Sequence, residues 1–191
     1  MASSPMLQRV MSWDVRVSLA LQARRSPVLN FVAQALSWSG AGGAWFGTAG
    51  VLMIAGHLGR ELVPRQLEFL AAMAGAFATL LVGGLIKSAT GRRRPFASEV
   101  GVQAAIWAPG KARSFPSTHA ATSVALATHL LLIGHPFAPW LTAWAVGVSL
   151  SRVWLGVHFA TDVLAGVVLG VVFGLIPWGP VLAPLAFLAG G

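Results

Sequence analysis

Ser151-Arg152-Val153-Trp154-Leu155-Gly156-Val157-His158-Phe159-Ala160-Thr161-Asp162 lies between two apolar runs, each long enough to enter a membrane. Arg152, His158 and Asp162 are therefore ionisable groups at the edge of hydrocarbon, where such groups are costly and by default point to function. His158 and Asp162 are four residues apart, so on a helix they share a face. A carboxylate beside one imidazole nitrogen fixes the tautomer and raises the basicity of the other nitrogen. That suits a histidine nucleophile or base. Arg152 on the approach suits an anion, because a guanidinium fork matches phosphate oxygens. A structural Arg–Asp pair beside a passive histidine would use the same residues, so this stretch alone leaves both readings open.

The surrounding composition sets the class. The chain has 191 residues, 56% of them hydrophobic and 9% charged, with a mean hydropathy of +0.75. A soluble domain carries about 25% charged residues. The expectation is an all-α, polytopic membrane helix bundle forming one domain over residues 1–191, with about five transmembrane helices plus N-terminal interfacial helices. The formal charge is +8, and the acids are Asp14, Glu61, Glu68, Glu99 and Asp162. Asp162 is thus the only acid after Glu99. A basic excess fits anionic lipid or an anionic substrate. Nucleic acid is disfavoured as a partner, because the cations flank apolar runs instead of lining a soluble face. The chain has no cysteine, which removes disulfides and Cys-ligated metal. Met1–Ala23 has no clean apolar core and carries Arg9, Asp14 and Arg16, so it does not read as a signal peptide.

Residues 1–40 read as amphipathic. Trp13, Val17 and Leu21 recur at helical spacing within Ser12–Ala23, and Pro27 suits the first turn of a second helix through Val28–Trp38. This region is expected to be an ordinary membrane anchor without a catalytic role. The bundle proper, residues 41–191, is expected to hold spans at Ala41–Leu58, Phe69–Ile86, Thr118–Gly134, Phe137–Leu150 and Val163–Pro177. Gly166, Gly170 and Gly174 make a small-residue ridge on the last of these. The apolar tail Val181–Gly191 is expected to pack in the membrane or re-enter it. The longest polar connection, Lys87–Ser117, holds Lys87, Arg92, Arg93, Arg94, Lys111 and Arg113 against the single acid Glu99. Such a run can be a lipid-headgroup patch or a topology signal. Pro95, however, stops any helix just after Arg94 and makes Lys87–Pro95 a fixed unit. Pro116-Ser117-Thr118-His119 then opens the third span. Ser or Thr at a helix start caps free N–H groups, and those groups with the helix dipole form a natural phosphate site.

Span parity brings these pieces together. The second span ends at Lys87, the third begins at His119, the fourth ends near Arg152 and the fifth begins at Asp162. Alternating helix directions put all four points on one membrane face. The cluster would hold three cations, two imidazoles and one carboxylate. One carboxylate among several cations disfavours a metal, so no metal and no cofactor is expected. A phosphate is favoured.

Lys87-(six residues)-Arg94-Pro95, Pro116-Ser117-Thr118-His119 and Ser151-Arg152-(five residues)-His158-(three residues)-Asp162 resemble the three signature motifs of the type-2 phosphatidic acid phosphatase superfamily. They span residues 87–162 in the family's order. The one departure is Thr118, where the family usually has Gly. Gly lets a backbone N–H approach phosphate closely. The resemblance implies a lipid phosphatase in which Lys87, Arg94 and Arg152 clamp the phosphoryl oxygens, with contacts from Ser117 and the Thr118 N–H. His158 would attack phosphorus, Asp162 would orient it, and His119 would protonate the leaving oxygen and then activate water. Implied substrates are a polyprenyl phosphate or diphosphate, phosphatidic acid or phosphatidylglycerophosphate, held with the tail in the bilayer. A headgroup phosphotransferase using the same histidine is the alternative. A non-enzymatic transporter fits less well, because the charges cluster at one surface and do not step across the bilayer. The expected location is the inner (plasma) membrane. Eleven of the thirteen Lys and Arg lie on the site side and only Arg60 and Arg65 lie opposite, which points the site to the cytoplasm.

Overall fold

The computed structural model describes residues 5–41, 45, 47, 51, 64–108 and 113–179. Six α-helices are described: α1 (Pro5–Gln22), α2 (Pro27–Ser39), α3 (Pro64–Thr90), α4 (Thr118–Leu132), α5 (Ala138–Trp154) and α6 (Ala160–Gly174). The all-α expectation holds, with no strand among the described residues. Most of the span expected at Ala41–Leu58, and the tail Val181–Gly191, fall outside the described residues. So does Lys111.

Local chemistry explains the helix starts. Ser26 caps α2 by accepting from the Leu29 N–H, and Pro27 fills the first helical position. α3 has 27 residues and is about 40 Å long. Among the described residues it is the one helix long and apolar enough to cross a membrane on length and composition. α4 is the central helix. It packs on α3, α5 and α6, and its buried residues include Ala120, Ala121, Ala125, Leu126 and Leu130. Leu126 and Leu130 meet Ala72, Met73 and Ala76 of α3. Large apolar side chains also face outward: Phe77, Leu81 and Leu85 on α3, Trp140, Val146 and Leu150 on α5, and Leu164, Val168 and Val172 on α6. A continuous apolar exterior of this kind suits lipid.

The glycine ridge of α6 is used as the spacing suggests. A Cβ at Gly166 would lie 2.5 Å from the Ser117 carbonyl oxygen, and one at Gly170 would lie 2.5 Å from that of Ala121. Only a residue without a side chain lets α6 touch the α4 backbone this closely. This contact presses the first turn of α6 against the start of α4, where the two motifs meet.

Several expected boundaries move: α1 starts at Pro5 and not at Ser12, and α3 runs over Pro64–Thr90, past both ends of Phe69–Ile86. The fourth span was expected to end at Leu150, but α5 continues to Trp154. Ser151 and Arg152 are therefore on the helix, buried against its neighbours. α6 begins at Ala160 instead of Val163, because Asp162 lies in its first turn and its side chain accepts the Phe159 N–H at 2.8 Å. His158 consequently precedes the helix. Its proximity to Asp162 comes from the turn and the cap, and not from a shared helical face.

Candidate functional site

Backbone hydrogen bonds gather four helix ends at one pole of the bundle. Lys87 sits in the last turn of α3. Gly91, at φ +65°, then reverses the chain into Arg92–Arg94. Ser114 fastens this segment to the connection before α4: its N–H donates to the Arg92 carbonyl at 2.8 Å and its hydroxyl to that of Arg93 at 3.0 Å. The Ser117 N–H donates to the Asp162 carbonyl at 2.9 Å, joining α4 to α6. Gly156, at φ +72°, turns the chain out of α5, and the His158 N–H returns to the Arg152 carbonyl at 3.2 Å. A Cβ on Gly156 would sit 2.6 Å from the Gln103 carbonyl oxygen, so this turn is closed to other residues on two counts.

The side chains at this pole are buried and polar. His158, Asp162 and Ser117 are almost wholly enclosed, and Arg152 is only 6% exposed. Buried polar atoms are normally paired. Here Arg94 Nε, Ser117 Oγ, Arg152 Nε and His158 Nδ1 are buried with no hydrogen-bond partner among the described residues. His119 lies within the fields of Arg152, His158, Lys87 and Arg94, and Lys87 within those of Arg94, Arg152 and Asp162. The residues singled out from the three motifs thus share one location. Burial, followed by the charges of Arg152, Lys87 and Arg94, holds the His158 imidazole well below its ordinary value of 6.5, offset in part by the Ser114 backbone. The surroundings thus favour the neutral ring. A donor set of cations, a neutral imidazole and an N-terminal helix turn can grip an anion and attack it. Asp162 Oδ2 stands 3.7 Å from His158 Nδ1. That is an ion-pair distance, longer than a hydrogen bond. Catalytic contacts commonly tighten only when the substrate's charge arrives.

The model of the PAP2 superfamily matches residues 67–180. The chain belongs to the PAP2 superfamily. It is 34% identical over 173 residues to decaprenylphosphoryl-5-phosphoribose phosphatase of Mycobacterium tuberculosis, an alignment covering 90% of this chain and 92% of that one. Its fold is similar to that of a transmembrane PAP2-type phosphatidylglycerolphosphate phosphatase from Bacillus subtilis, with a TM-score of 0.70 and 25% identity over 98% of this chain and 86% of the other. The fold is also similar to that of Aquifex aeolicus LpxE, with a TM-score of 0.68 and 20% identity over 84% of this chain and 91% of the other. The chain is accordingly a membrane-embedded PAP2 enzyme, a lipid phosphate hydrolase.

Set among the PAP2 motifs, several residues behave differently from expectation. Thr118, the departure from the family's Gly, directs its methyl toward α3: a Cβ at Gly83 would lie 3.2 Å from Thr118 Cγ2. The extra side chain is accommodated by a glycine on the neighbouring helix. Ser117 occupies the cap position of α4 but makes no side-chain cap bond, so its hydroxyl stays free for the site. Arg92 read as part of a headgroup patch, yet its Nη1 meets Asp162 Oδ1 at 2.6 Å and its Nη2 meets Asp14 Oδ2 at 2.7 Å. The cluster therefore holds a fourth cation and a second carboxylate.

Both N-terminal helices reach this pole and pack against the site's residues. α1 buries Asp14 and packs Val17 and Leu21 against Ala120, Val153 and Val163. The Ser37 hydroxyl of α2 accepts a hydrogen bond from Arg152 Nη1. Arg25, between the two helices, donates to the Trp154 carbonyl at 2.8 Å and to the Gln103 carbonyl at 2.6 Å. One signal in the sequence could have exposed Asp14. It shares a helical face with Val10, Val17 and Leu21, so its carboxylate interrupts an apolar stripe.

Proposed function

We propose that this enzyme hydrolyses the phosphomonoester of a polyprenyl-linked lipid through a phosphohistidine on His158. The observation that carries this reading is the convergence of unpartnered buried atoms from Arg94, Ser117, Arg152 and His158. Lys87, Arg94 and Arg152 hold the phosphoryl oxygens and neutralise the charge spread over them during transfer. Ser117 Oγ and the Thr118 N–H add donors at the start of α4. The neutral His158 attacks phosphorus, and Asp162 supports the positive charge the ring acquires. His119 protonates the departing oxygen and then takes a proton from the water that hydrolyses the P–N bond. Side-chain cations supply the positive charge, so the reaction proceeds without a metal.

The preference for a polyprenyl-linked substrate rests on likeness to the mycobacterial phosphatase along 92% of its length. Phosphate release from decaprenylphosphoryl-5-phosphoribose, undecaprenyl diphosphate, phosphatidic acid and phosphatidylglycerophosphate tests it, with and without chelator. The first substrate is expected to turn over fastest and chelator to have no effect. A faster diphosphate, or activity abolished by chelator and restored by a divalent cation, would overturn the respective claim.

We further propose one domain of five spans in the inner membrane, with the site facing the cytoplasm. Arg9, Arg16, Arg24, Arg93 and Arg113 are exposed at the site's end of the bundle, over and above the cations the site itself uses. Arg65 opens α3 at the other end, and Arg60 precedes it in sequence. This asymmetry has the sense of the positive-inside rule. In spheroplasts, an impermeant thiol reagent is expected to label Leu62→Cys and to leave Val100→Cys unlabelled; the reverse pattern would invert the topology.

A further inference from the structure

Asp14 and Arg92 have no part in gripping phosphate, yet they form a closed polar network directly behind His158. Asp14 is wholly buried. It accepts the Thr161 N–H at 3.0 Å, the Thr161 hydroxyl, and Arg92 Nη2 at 2.7 Å. Arg92 Nη1 donates to Thr161 Oγ1 at 2.7 Å and to Asp162 Oδ1 at 2.6 Å. Its guanidinium also lies 4.5 Å above the Phe159 ring. Every partner except Asp14 lies in residues 159–162, immediately after the proposed nucleophile.

We propose that Asp14 and Arg92 are positioning residues that fix the rotation of the Asp162 carboxylate and so set which oxygen faces His158. A carboxylate turns in a broad, two-fold well. Asp162 Oδ2, the oxygen 3.7 Å from His158 Nδ1, accepts the Phe159 N–H at 2.8 Å, and the Ser114 hydroxyl also bears on this carboxylate. Arg92 takes Oδ1, so any rotation breaks both bonds. Arg92 is in turn held by Asp14 on one side and the Phe159 ring on the other. The network also has a fitting charge. Two carboxylates and one guanidinium carry a net charge of −1, which matches the single positive charge His158 gains on accepting a phosphoryl group. A buried carboxylate without Arg92 would be costly and would tend to take up a proton. Through α1, a helix 147 residues away from Thr161 in sequence becomes part of the catalytic geometry.

This inference rests on His158 being the nucleophile, and the test separates the two. Asp14→Asn and Arg92→Lys are measured in the wild-type and Asp162→Asn backgrounds, with His158→Ala alongside, in the full-length membrane protein with dioctanoyl phosphatidic acid. Arg92→Lys keeps the charge but cannot fork between two carboxylates. Each single change is expected to lower kcat by about 10- to 100-fold, with KM and orthovanadate inhibition unchanged. In the Asp162→Asn background the same change is expected to cost less than about twofold, because both residues act through that carboxylate. An equal loss in both backgrounds, a loss expressed in KM, or no loss at all overturns the proposal. Should Asp14→Asn fail to fold, Arg92→Lys decides on the same criteria. If His158→Ala retains activity, the nucleophile assignment falls. If it is inert while Asp14→Asn and Arg92→Lys run at wild-type rates, only the present inference falls.

Discussion

His158→Ala is expected to lower phosphate release by about 10⁴- to 10⁶-fold, the scale on which loss of a covalent nucleophile is felt. The size follows from the chemistry. Without the imidazole the cations can still bind phosphate, but water must attack directly while no group accepts the phosphoryl. The expected signature is therefore a collapse of kcat with orthovanadate still bound. The environment of His158 explains why this ring is suited to the task. Burial and three nearby cations favour its neutral form, the form that attacks without first losing a proton. A phosphate dianion entering the cluster cancels most of the positive local field. The ring is then free to become positive as the P–N bond forms, with Asp162 3.7 Å from Nδ1 to support it. His158→Ala turning over at a rate near wild type would contradict the assignment.

The second large effect falls on His119. It lies in the first turn of α4, within the fields of the other site residues. His119→Gln is expected to slow turnover of an alkyl lipid phosphate by about 10²- to 10⁴-fold, the usual weight of a general acid–base group. An alkoxide leaving group needs a proton, whereas p-nitrophenolate does not. With p-nitrophenyl phosphate the variant should therefore form the phosphoenzyme quickly and hydrolyse it slowly, because the base for water is missing. A burst of p-nitrophenolate followed by slow turnover is the expected trace in rapid-quench measurements. Equal losses for both substrates, with no burst, would remove His119 from the acid–base role.

The parts of this fold that could be read from the chain are those set by local rules. Pro27 marks a helix start, and the i, i+4, i+8 glycines of α6 mark the face that touches α4. Pro95, expected to stop a helix, instead opens a short 3-10 turn, because α3 has already ended at Thr90 before Gly91. The grouping of Lys87, Arg94, Ser117, His119, Arg152, His158 and Asp162 followed from helix parity. Parity needs only the number of crossings between the motifs and not their exact ends. This is why it survived α5 running four residues past its expected end, and α6 starting three residues early.

What escaped was non-local. Nothing near Asp14 in sequence announces Thr161 or Arg92, and Arg92 looks like its neighbour Arg93 until the chain is folded. Arg93 is exposed, whereas Arg92 is turned inward onto two carboxylates. Gly83 likewise gains meaning only once Thr118 is laid against it. Such pairings arise where separate helices meet, and a periodicity within one helix carries no record of them.

The central claim is that one pocket transfers the phosphoryl group to His158. The most direct measurement is rapid quench of the enzyme with ³²P-labelled lipid phosphate, followed by mapping of the labelled peptide. The account predicts an acid-labile, base-stable phosphate on the peptide containing residue 158, formed and lost at rates that match turnover. Full turnover with no covalent label, or label on Ser117 or His119 instead, would contradict it.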